Sequence, residues 1–368
     1  MDEDYTFQTM ITCIGNKRKL VYNIYDIVDE LRITLNKEEL CIFDGFSGSG
    51  VVAKSLHTLC DTIITNDMEQ YSYLICKCFL ETPSKSQINV IKTHIEKMNI
   101  IAKNGPYIEN IICKLYAPKD TNNIEEGERC FYTRKNALII DTLREYISKN
   151  VETQLQHYCL VPLLIRASIH TNTSGVFKGF HKNGTIGCFG GKGQNALSRI
   201  MKDINLDVPI WKSKKNVHCY QENINELIKN PDFKNHNIDI IYLDPPYNQH
   251  PYGSNYFMLN LIANNVEPNE ISRVSGIPSN WNKSSYNSRQ SAIKDMKELL
   301  HYSLECAKYV ILSYNDEGII NKEDWVTIME PYNIKKYEIK YDTYKGSRNL
   351  KSRSNKVFEI MYVISKKL

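Results

Sequence analysis

The chain has 368 residues, which exceeds an ordinary domain and predicts a large core with an insertion or a second lobe. Its 46 basic and 42 acidic residues leave a net charge of +4, too small to indicate a polyanionic partner unless the charges cluster. The sequence has eleven cysteines but no CxxC pair, no N-terminal signal peptide and no apolar run near 18 residues. We therefore expect an intracellular protein with reduced thiols, without a metal site and without a membrane span.

The first motif is a short turn, Gly15-Asn16-Lys17, placed before an amphipathic segment at residues 20–31. Amide groups at the start of a helix, acting together with a lysine, suit a carboxylate ligand. A solvated basic turn is the alternative interpretation. If the turn binds a ligand, Lys17 is the cation that we expect to contact it.

A strand at residues 40–43 is followed by a glycine loop, DGFSGSG, that begins at Asp44, and then by a helix at residues 51–59. Strand, glycine turn and helix open a nucleotide-binding βαβ unit, in which glycines let the backbone pass close to a ligand. The glycine spacing is not GxGxxG and no Gly-Lys-Ser/Thr follows, so we expect a cofactor without phosphates. Asp44 would accept the ammonium group of that cofactor.

A second strand at residues 62–65 ends just before Asp67, which lies 23 residues after Asp44. An acid about 20 residues beyond the glycine loop, at the tip of the second strand, is where ribose hydroxyls are held. Glu69 is a second candidate for this role, and we rank Asp67 first.

Asn223 follows a strand at residues 216–220 and precedes a helix at residues 224–228. At a strand tip beside the glycine loop, its amide suits the adenine edge of a cofactor. A helix N-cap is the equally consistent alternative.

Residues 82–165 have a mainly helical pattern, and the segment Phe131 to Ala137, which includes Tyr132, precedes an amphipathic helix at residues 138–147. This segment is either an ordinary helix start or a contact to the substrate.

Two stretches of the chain are basic and contain no acid, namely residues 171–202 and 345–356. The first holds seven of the 17 glycines between Gly175 and Gly193, and its cations are interleaved with phenylalanines. One-signed charge with aromatic rings favours nucleic acid, where phosphates are bound and stacked bases are separated. An ordinary glycine-rich loop and a solvated hairpin tip are the alternatives for the two stretches.

The apolar strand at residues 238–243 runs directly into Asp244-Pro245-Pro246-Tyr247. Two successive prolines remove backbone donors, so this end of the strand presents acceptors to its cavity. Asp244 and the Pro245 carbonyl suit the two hydrogens of an exocyclic amine, and Tyr247 offers a flat face for a base. A strand-ending turn is the alternative.

Taken in order, GNK, DGFSGSG with Asp67, and DPPY after a long insertion resemble the alpha group of DNA adenine methyltransferases, the Dam-like family. The segments FYTRKNA, NTSGVFKGF, DPPYNQHPYGSNY, LSYNDEG and YKGSRNLKSRSNK are similar to the longer type II members, so the resemblance covers most of the chain. It implies an α/β, Rossmann-like S-adenosylmethionine-dependent methyltransferase sheet, with an antiparallel C-terminal strand near its edge.

The resemblance implies a role for each motif. The residues expected to bind S-adenosylmethionine are Gly15, Asn16, Lys17, Asp44, Phe46, Gly48, Gly50, Asp67, Asn223 and Asp244. The residues expected to hold the reacting adenine are Asp244, Pro245, Pro246 and Tyr247. Asn223 departs from relatives that often have Asp, which makes its contact to the cofactor adenine the weakest of these assignments.

Residues 1–81 and 206–368 would form the catalytic core, and residues 82–205 an inserted, mainly helical and loop-rich target-recognition region. The residues expected to contact DNA are Tyr132, Lys178, Lys182, Lys192, Lys345, Arg348, Lys351 and Arg353. The implied partners are double-stranded DNA and, for a restriction-modification system, a separate cognate endonuclease. The implied location is the cytoplasm, on the nucleoid DNA.

The resemblance thus predicts methyl transfer to the 6-amino group of an adenine flipped out of double-stranded DNA. RNA adenine and DNA cytosine are alternative substrates, and a non-catalytic DNA-binding module is an alternative of another class. Enzymes that methylate the 4-amino group of cytosine usually have Ser in place of Asp244, and those that methylate protein glutamine typically have Asn there. A non-catalytic DNA-binding module would not need the glycine loop.

Overall fold

The computed structural model describes residues 1–191, 193–194, 196–315, 318–342 and 356–367. Strands and helices alternate in its first and last thirds, and helices dominate between them. The elements up to residue 169 are α1 (Glu3–Phe7), α2 (Val21–Thr34), β1 (Leu40–Asp44), α3 (Val51–Ser55), β2 (Cys60–Asn66), α4 (Gln70–Leu80), α5 (Lys85–Asn104), α6 (Ile111–Tyr116), α7 (Arg134–Asn150) and α8 (Gln156–Ile169). The later elements are β3 (Lys182–Asn183), β4 (Ile186–Gly187), α9 (Leu197–Met201), β5 (Asn216–Tyr220), α10 (Ile224–Leu227), α11 (Pro231–Lys234), β6 (Ile240–Leu243), α12 (Tyr252–Asn255), α13 (Phe257–Asn264), α14 (Arg289–Cys306), β7 (Tyr309–Asn315), α15 (Lys322–Met329), β8 (Tyr332–Asp342) and β9 (Lys356–Lys366).

Seven strands of the described chain form one sheet in the order β5-β2-β1-β6-β7-β9-β8. The first five strands in this order run parallel to one another, whereas β9 runs antiparallel to both β7 and β8. This confirms the predicted mixed α/β fold with a mostly parallel sheet and an antiparallel C-terminal strand near one edge. The edge strand β8 was not predicted, because Lys335, Lys336, Glu338 and Lys340 interrupt its apolar pattern. Charged residues are a common feature of edge strands.

The sheet separates two hydrophobic clusters, because successive side chains of a strand point to opposite faces. Ile240 and Tyr242 of β6 pack into one cluster, together with α2, α4 and α13. Ile241 and Leu243 pack into the other cluster, together with α10, α11, α14 and α15. This double burial explains why β6 is apolar at every position, as is usual for parallel strands covered on both faces.

The helices of the predicted inserted region do not form a core of their own. Ile91, Ile139 and Leu163, from α5, α7 and α8, belong to the same cluster as Ile42 of β1 and Ile63 of β2. Residues 85–169 therefore extend the layer on one face of the sheet. The structure agrees with the prediction that this part of the chain is mainly helical. Within the described residues, no helix has both the length and the apolar character that crossing a bilayer demands.

The order of the parallel strands sets the position of a ligand site. β1 lies between β2 and β6, and Asp44 at the end of β1 is in register with Thr65 of β2 and Tyr242 of β6. The chain leaves β1 toward β2 on one side and reaches β6 on the other. Ligands of open α/β sheets bind at such a switch point, beyond the carboxyl ends of the strands.

Candidate active site

A cleft of about 1030 Å³, counting the space open to solvent, lies at the carboxyl ends of β1, β2 and β6. It brings together three motifs that are far apart in sequence. The predicted cofactor residues that line it are Gly15, Asn16, Lys17, Phe46, Gly48, Asp67, Asn223 and Asp244. Asp44 and Gly50 are not part of the lining, although both belong to the loop that forms the floor of the cleft.

The glycine loop takes its shape from its neighbours. Gly45 N donates to Tyr242 O at 2.9 Å, which joins the loop to β6. Gly48 and Gly50 have φ values of +52° and +73°, in the left-handed region that favours glycine. Gly48 N donates to Asp67 Oδ2 at 2.8 Å, so this glycine turns its amide toward the tip of β2.

Asp67 is held rigidly at one wall of the cleft. Its two oxygens accept from Gly48 N and, at 2.9 Å, from Glu69 N. Burial raises the pKa of Asp67, and these two backbone hydrogen bonds oppose the rise. Each oxygen has a further lone pair, so the carboxylate remains able to accept from a ligand hydroxyl. Glu69 instead accepts from the side-chain amides of Asn260 and Asn282, which gives it a structural contact.

Asp44 is 1% exposed, and neither of its carboxylate oxygens has a hydrogen-bond partner among the described residues. Burial, followed by the nearby carboxylates of Asp244 and Asp67, raises its pKa to about 8. The amides of Ala53 and Phe46 oppose this rise, although neither reaches hydrogen-bond geometry. A cationic or hydrogen-bonding ligand would stabilise the ionised form of this buried carboxyl group.

Lys17 is buried and makes contacts other than the predicted one. Its Nζ lies 2.7 Å from Asp244 Oδ1, 3.0 Å from Glu359 Oε1 and 3.4 Å from Gly15 O. The three ammonium protons therefore have acceptors within the protein. Lys17 also lines the cleft, so its contact with a cofactor carboxylate stays a prediction.

The charges of this group influence one another. Burial alone would lower the pKa of Lys17, but Asp244 and Glu359 raise it well above its usual value. Burial raises the pKa of Asp244, Lys17 opposes this rise and Glu359 adds to it, so that the pKa is about 6. Lys17 therefore favours the ionised form of Asp244, which accepts hydrogen bonds.

Tyr247 is half-buried at the edge of the same group. Its ring meets Tyr314 edge to face at 6.1 Å between centroids, and the Lys17 Nζ lies 5.7 Å from its centroid. Gly15 explains this close approach, because a Cβ at Gly15 would lie 3.0 Å from Tyr247 Oη and 3.2 Å from Tyr252 Oη. Tyr252 also donates to Ile14 O at 2.6 Å, so the N-terminal turn is held by the tyrosines after the DPPY motif.

Asn223 is the N-cap of α10, because its side-chain oxygen accepts from Asn225 N at 2.9 Å. The structure therefore has the plainer of the two roles considered for this residue, while Asn223 still lines the cleft. Phe46 is half-buried and contacts Tyr286 edge to face at 5.4 Å.

Asn66 was not predicted as a site residue, and it joins the loops after three strands. Its side chain donates to Gly45 O and Glu222 O at 3.3 and 3.2 Å and accepts from Glu222 N at 3.0 Å. The feature of the sequence that could have revealed Asn66 is its position directly before Asp67, at the end of a buried strand.

A further wall of the cleft was also not predicted, and it is formed by the segment at residues 282–287. Tyr286 Oη donates to Asn225 Oδ1 at 2.7 Å, and Ser285 Oγ donates to Asp295, which anchors the wall to α10 and α14. An aromatic residue within a polar loop was the signal that could have revealed it.

The predicted DNA contacts have mixed outcomes. Lys178 and Lys182 are exposed, and the Lys182 Nζ lies 5.0 Å from the ring centroid of Phe180. Tyr132 is 0% exposed and Phe177 is 3% exposed, which corrects the expected surface roles of these rings because both pack in the core. The remaining predicted contacts lie outside the described residues, namely Lys192, Lys345, Arg348, Lys351 and Arg353.

Three features are consistent with a methyltransferase fold. They are the mostly parallel sheet, the glycine loop after β1, and the Asp-Pro-Pro-Tyr motif at the end of the neighbouring strand β6. The chain belongs to the D12 class N6 adenine-specific DNA methyltransferase family, which matches residues 14–328. This confirms the family resemblance inferred from the sequence motifs.

Relatives with curated names cover most of the chain. It is 28% identical to modification methylase StsI of Streptococcus sanguinis over 96% of this chain and 52% of the relative. It is 26% identical to type II methyltransferase M.NlaIII of Neisseria lactamica over 96% of this chain and 98% of the relative. It is 28% identical to type II methyltransferase M.CviAII of Paramecium bursaria Chlorella virus 1 over 87% of each chain. The chain thus spans about half of StsI but nearly the full length of M.NlaIII.

Proposed function

We propose that this chain transfers a methyl group from S-adenosylmethionine to the 6-amino group of an adenine flipped out of double-stranded DNA at a specific sequence. The observation that carries the proposal is the position of Asp244, which faces the cleft beside the glycine loop and is held by Lys17 at 2.7 Å. Family membership supports adenine as the base and DNA as the substrate.

The residues around the cleft fit S-adenosylmethionine. The two unpartnered oxygens of Asp44 suit its ammonium group, and the fixed carboxylate of Asp67 suits ribose hydroxyls. Met68 and Ile224 give the lining apolar surface that suits an adenine ring. When bound, S-adenosylmethionine supplies a methyl group activated by a sulfonium sulfur.

The role of Asp244 and the Pro245 carbonyl is to accept the two hydrogens of the adenine amine. The lone pair of that nitrogen is delocalised into the purine ring, which makes it a poor nucleophile. Two acceptors favour a pyramidal nitrogen with a localised lone pair and stabilise the positive charge that develops as the N–C bond forms. Positioning and electrostatic stabilisation then account for most of the rate enhancement.

Tyr247 offers the face on which the flipped base would stack. Extruding a base from a duplex costs a few kcal/mol, and stacking on an aromatic ring returns about 1–3 kcal/mol. Gly15 supports this role because its lack of a Cβ leaves room for the Tyr247 ring beside the N-terminal turn.

The proposed DNA surface adjoins the cleft. Phe177 N donates to Asn255 O at 2.7 Å, which joins the loop carrying Lys178 to α12, and α12 begins at Tyr252 in the cleft lining. Ser275 Oγ donates to Lys178 O at 2.5 Å and links the loop to the segment after α13. We assign Lys178 and Lys182 to phosphates, and target recognition to residues 82–205.

We also propose a partner protein and a cellular location for the enzyme. Relatives whose names contain "type II" suggest a modification enzyme that accompanies a separate cognate endonuclease. Such an enzyme would work on DNA in the cytoplasm.

The test is methyl transfer from S-adenosylmethionine carrying tritium in its methyl group. Duplex DNA, the same sequence as RNA, and duplex DNA with N6-methyladenine already at every adenine are incubated with the chain and digested to nucleosides. We expect label in N6-methyl-2′-deoxyadenosine from unmodified duplex DNA and no label from the other two substrates. Label in N4-methyl-2′-deoxycytidine would show that cytosine is the substrate, and label in RNA nucleosides would show that RNA is. Binding without transfer would indicate the non-catalytic module.

A further inference from the structure

Glu359 is a second carboxylate on the same lysine, and it comes from a part of the chain outside residues 14–328 that match the family. It lies on β9 and is 1% exposed. Its Oε1 is 3.0 Å from Lys17 Nζ and accepts from Ser313 Oγ of β7 at 2.5 Å. The ammonium of Lys17 is therefore shared between the proposed catalytic Asp244 and a carboxylate on a neighbouring strand.

We propose that Glu359 is a positioning residue that, by sharing the Lys17 ammonium, sets how strongly Asp244 accepts hydrogen bonds from the adenine amine. The inference rests on the proposed function and assigns a role in it to β9.

An ammonium has three protons, and those of Lys17 are directed to Asp244, Glu359 and Gly15 O. Without the negative charge at residue 359, the whole charge of Lys17 would act on Asp244. A carboxylate neutralised more strongly by a cation is a weaker acceptor and a weaker base. Glu359 therefore keeps Asp244 basic, while Lys17 keeps it ionised.

The other groups that face Asp244 do not replace Glu359. Asp44 at the end of β1 lies close enough to Asp244 for the charge of Asp244 to raise the pKa of Asp44. Among the interactions described, Asp44 has no direct contact with Lys17. Among the described residues, the other ionisable groups that interact with Lys17 or Asp244 are phenols, namely Tyr242 and Tyr252, whose pKa values burial raises well above the usual value, and Tyr247. The directions of the pKa shifts agree with this, because Glu359 raises the pKa of Asp244 and Lys17 lowers it.

The experiment measures the single-turnover rate of methyl transfer to duplex DNA between pH 5 and pH 9. In the wild-type protein, protonation of Asp244 sets the acidic limb of this profile. In Glu359→Gln we expect the midpoint of that limb to move about 0.5–1 unit to lower pH. We expect the rate on the plateau to fall about threefold, because a weaker base stabilises the transition state less. The affinity for S-adenosylmethionine should stay within about twofold of wild type.

Two further variants separate charge from packing. Ser313→Ala removes a hydrogen bond to Glu359 but keeps its charge, so its limb should not move to lower pH. Glu359→Asp keeps the charge on a shorter side chain, so its limb should lie between those of wild type and Glu359→Gln. Thermal unfolding of each variant measures any loss of stability.

The outcomes are distinct. If the wild-type chain does not methylate DNA, the proposed function fails and the inference fails with it. If wild type is active and the limb of folded Glu359→Gln stays in place, Glu359 has only a structural role and the inference is overturned. If Glu359→Gln does not fold, a Glu359→Asp limb no lower than that of wild type overturns it equally.

Discussion

Lys17 and Asp244 are separated by 227 residues along the chain, yet Lys17 Nζ lies 2.7 Å from Asp244 Oδ1. The N-terminal glycine turn and the DPPY motif, which look independent in the sequence, therefore form one charged group. This contact stabilises the ionised form of Asp244 in a half-buried position, where an unpaired carboxylate would be protonated more readily. The same contact explains why the turn lies beside the end of β6 and lines the same cleft.

Replacing Asp244 with Ala should lower the rate of methyl transfer by about a hundredfold or more, because one of two acceptors for the adenine amine is lost. DNA binding and S-adenosylmethionine binding should persist within about tenfold, since other residues hold both ligands. Single-turnover transfer of tritiated methyl groups measures the first quantity and equilibrium titrations the others. Asp26→Ala, which removes an exposed carboxylate from α2, is the matched control and should leave all three unchanged. Unchanged turnover in Asp244→Ala would refute the assignment.

Replacing Tyr247 with Ala should reduce methyl transfer by about 5–150-fold, the equivalent of about 1–3 kcal/mol of base stacking. The affinity for S-adenosylmethionine should change much less, because Tyr247 is not part of the cleft lining. Tyr247→Phe keeps the ring and should retain most of the activity. Fluorescence of 2-aminopurine at the target position would report base flipping directly. A loss of cofactor binding with flipping intact would contradict the stacking role.

Binding of S-adenosylmethionine should release a proton near pH 7. Burial, followed by the charges of Asp244 and Asp67, raises the pKa of Asp44 to about 8, so the carboxyl group of the free protein is mainly protonated at pH 7. A cationic ligand favours the ionised form, and the proton is then lost to solvent. Calorimetric titration in two buffers with different ionisation enthalpies measures this release, which should be nearly absent at pH 9. In Asp44→Asn the release should disappear and the affinity should fall at least tenfold, whereas Asp26→Asn should match wild type. Equal proton release in Asp44→Asn would show that another group titrates.

Gly253→Ala should weaken S-adenosylmethionine binding by disturbing the wall at residues 282–287. A Cβ at Gly253 would lie 2.4 Å from the backbone oxygen of Asn282 and 2.9 Å from its backbone nitrogen, so the main chain of the wall would have to move. Gly179→Ala is the matched control, because a Cβ there meets no atom within 4 Å. Equilibrium dialysis would compare the three proteins, and equal affinities would mean that the wall does not hold the cofactor.

Lys54→Met should stabilise the protein most at pH values below about 7. Lys54 is 1% exposed, its Nζ lies 4.9 Å and 4.3 Å from the ring centroids of Tyr5 and Phe79, and burial lowers its pKa to about 7 from 10.5. The unfolded chain binds the proton up to about pH 10.5, so the stability of wild type rises between pH 7 and pH 10.5. The advantage of Lys54→Met should therefore shrink across that range. Urea unfolding at pH 6.5, 8 and 9.5 would measure it, and an advantage independent of pH would mean that Lys54 is not buried as a titrating amine.

Local patterns along the chain determine much of the fold. β1, the glycine loop, β2 and β6 were predictable because burial on both faces requires continuous apolar runs, and because glycines and prolines mark where such runs end. The acceptor character of the DPPY end follows from its covalent structure, since prolines have no N–H. The edge strand β8 escaped this reasoning because its charged residues hide the pattern.

The partners of the charged and aromatic side chains were decided only by the tertiary structure. The sequence suggested a cofactor contact for Lys17 and DNA contacts for Tyr132 and for the phenylalanines of residues 171–202. It did not show that Lys17 contacts Asp244 and Glu359, or that Tyr132 and Phe177 are buried. The wall at residues 282–287 and the junction at Asn66 likewise depend on which strands are neighbours. Periodicity along a chain reports which side of an element is buried. It contains no information on which distant element covers that side, because the contacts depend on the order of strands in the sheet.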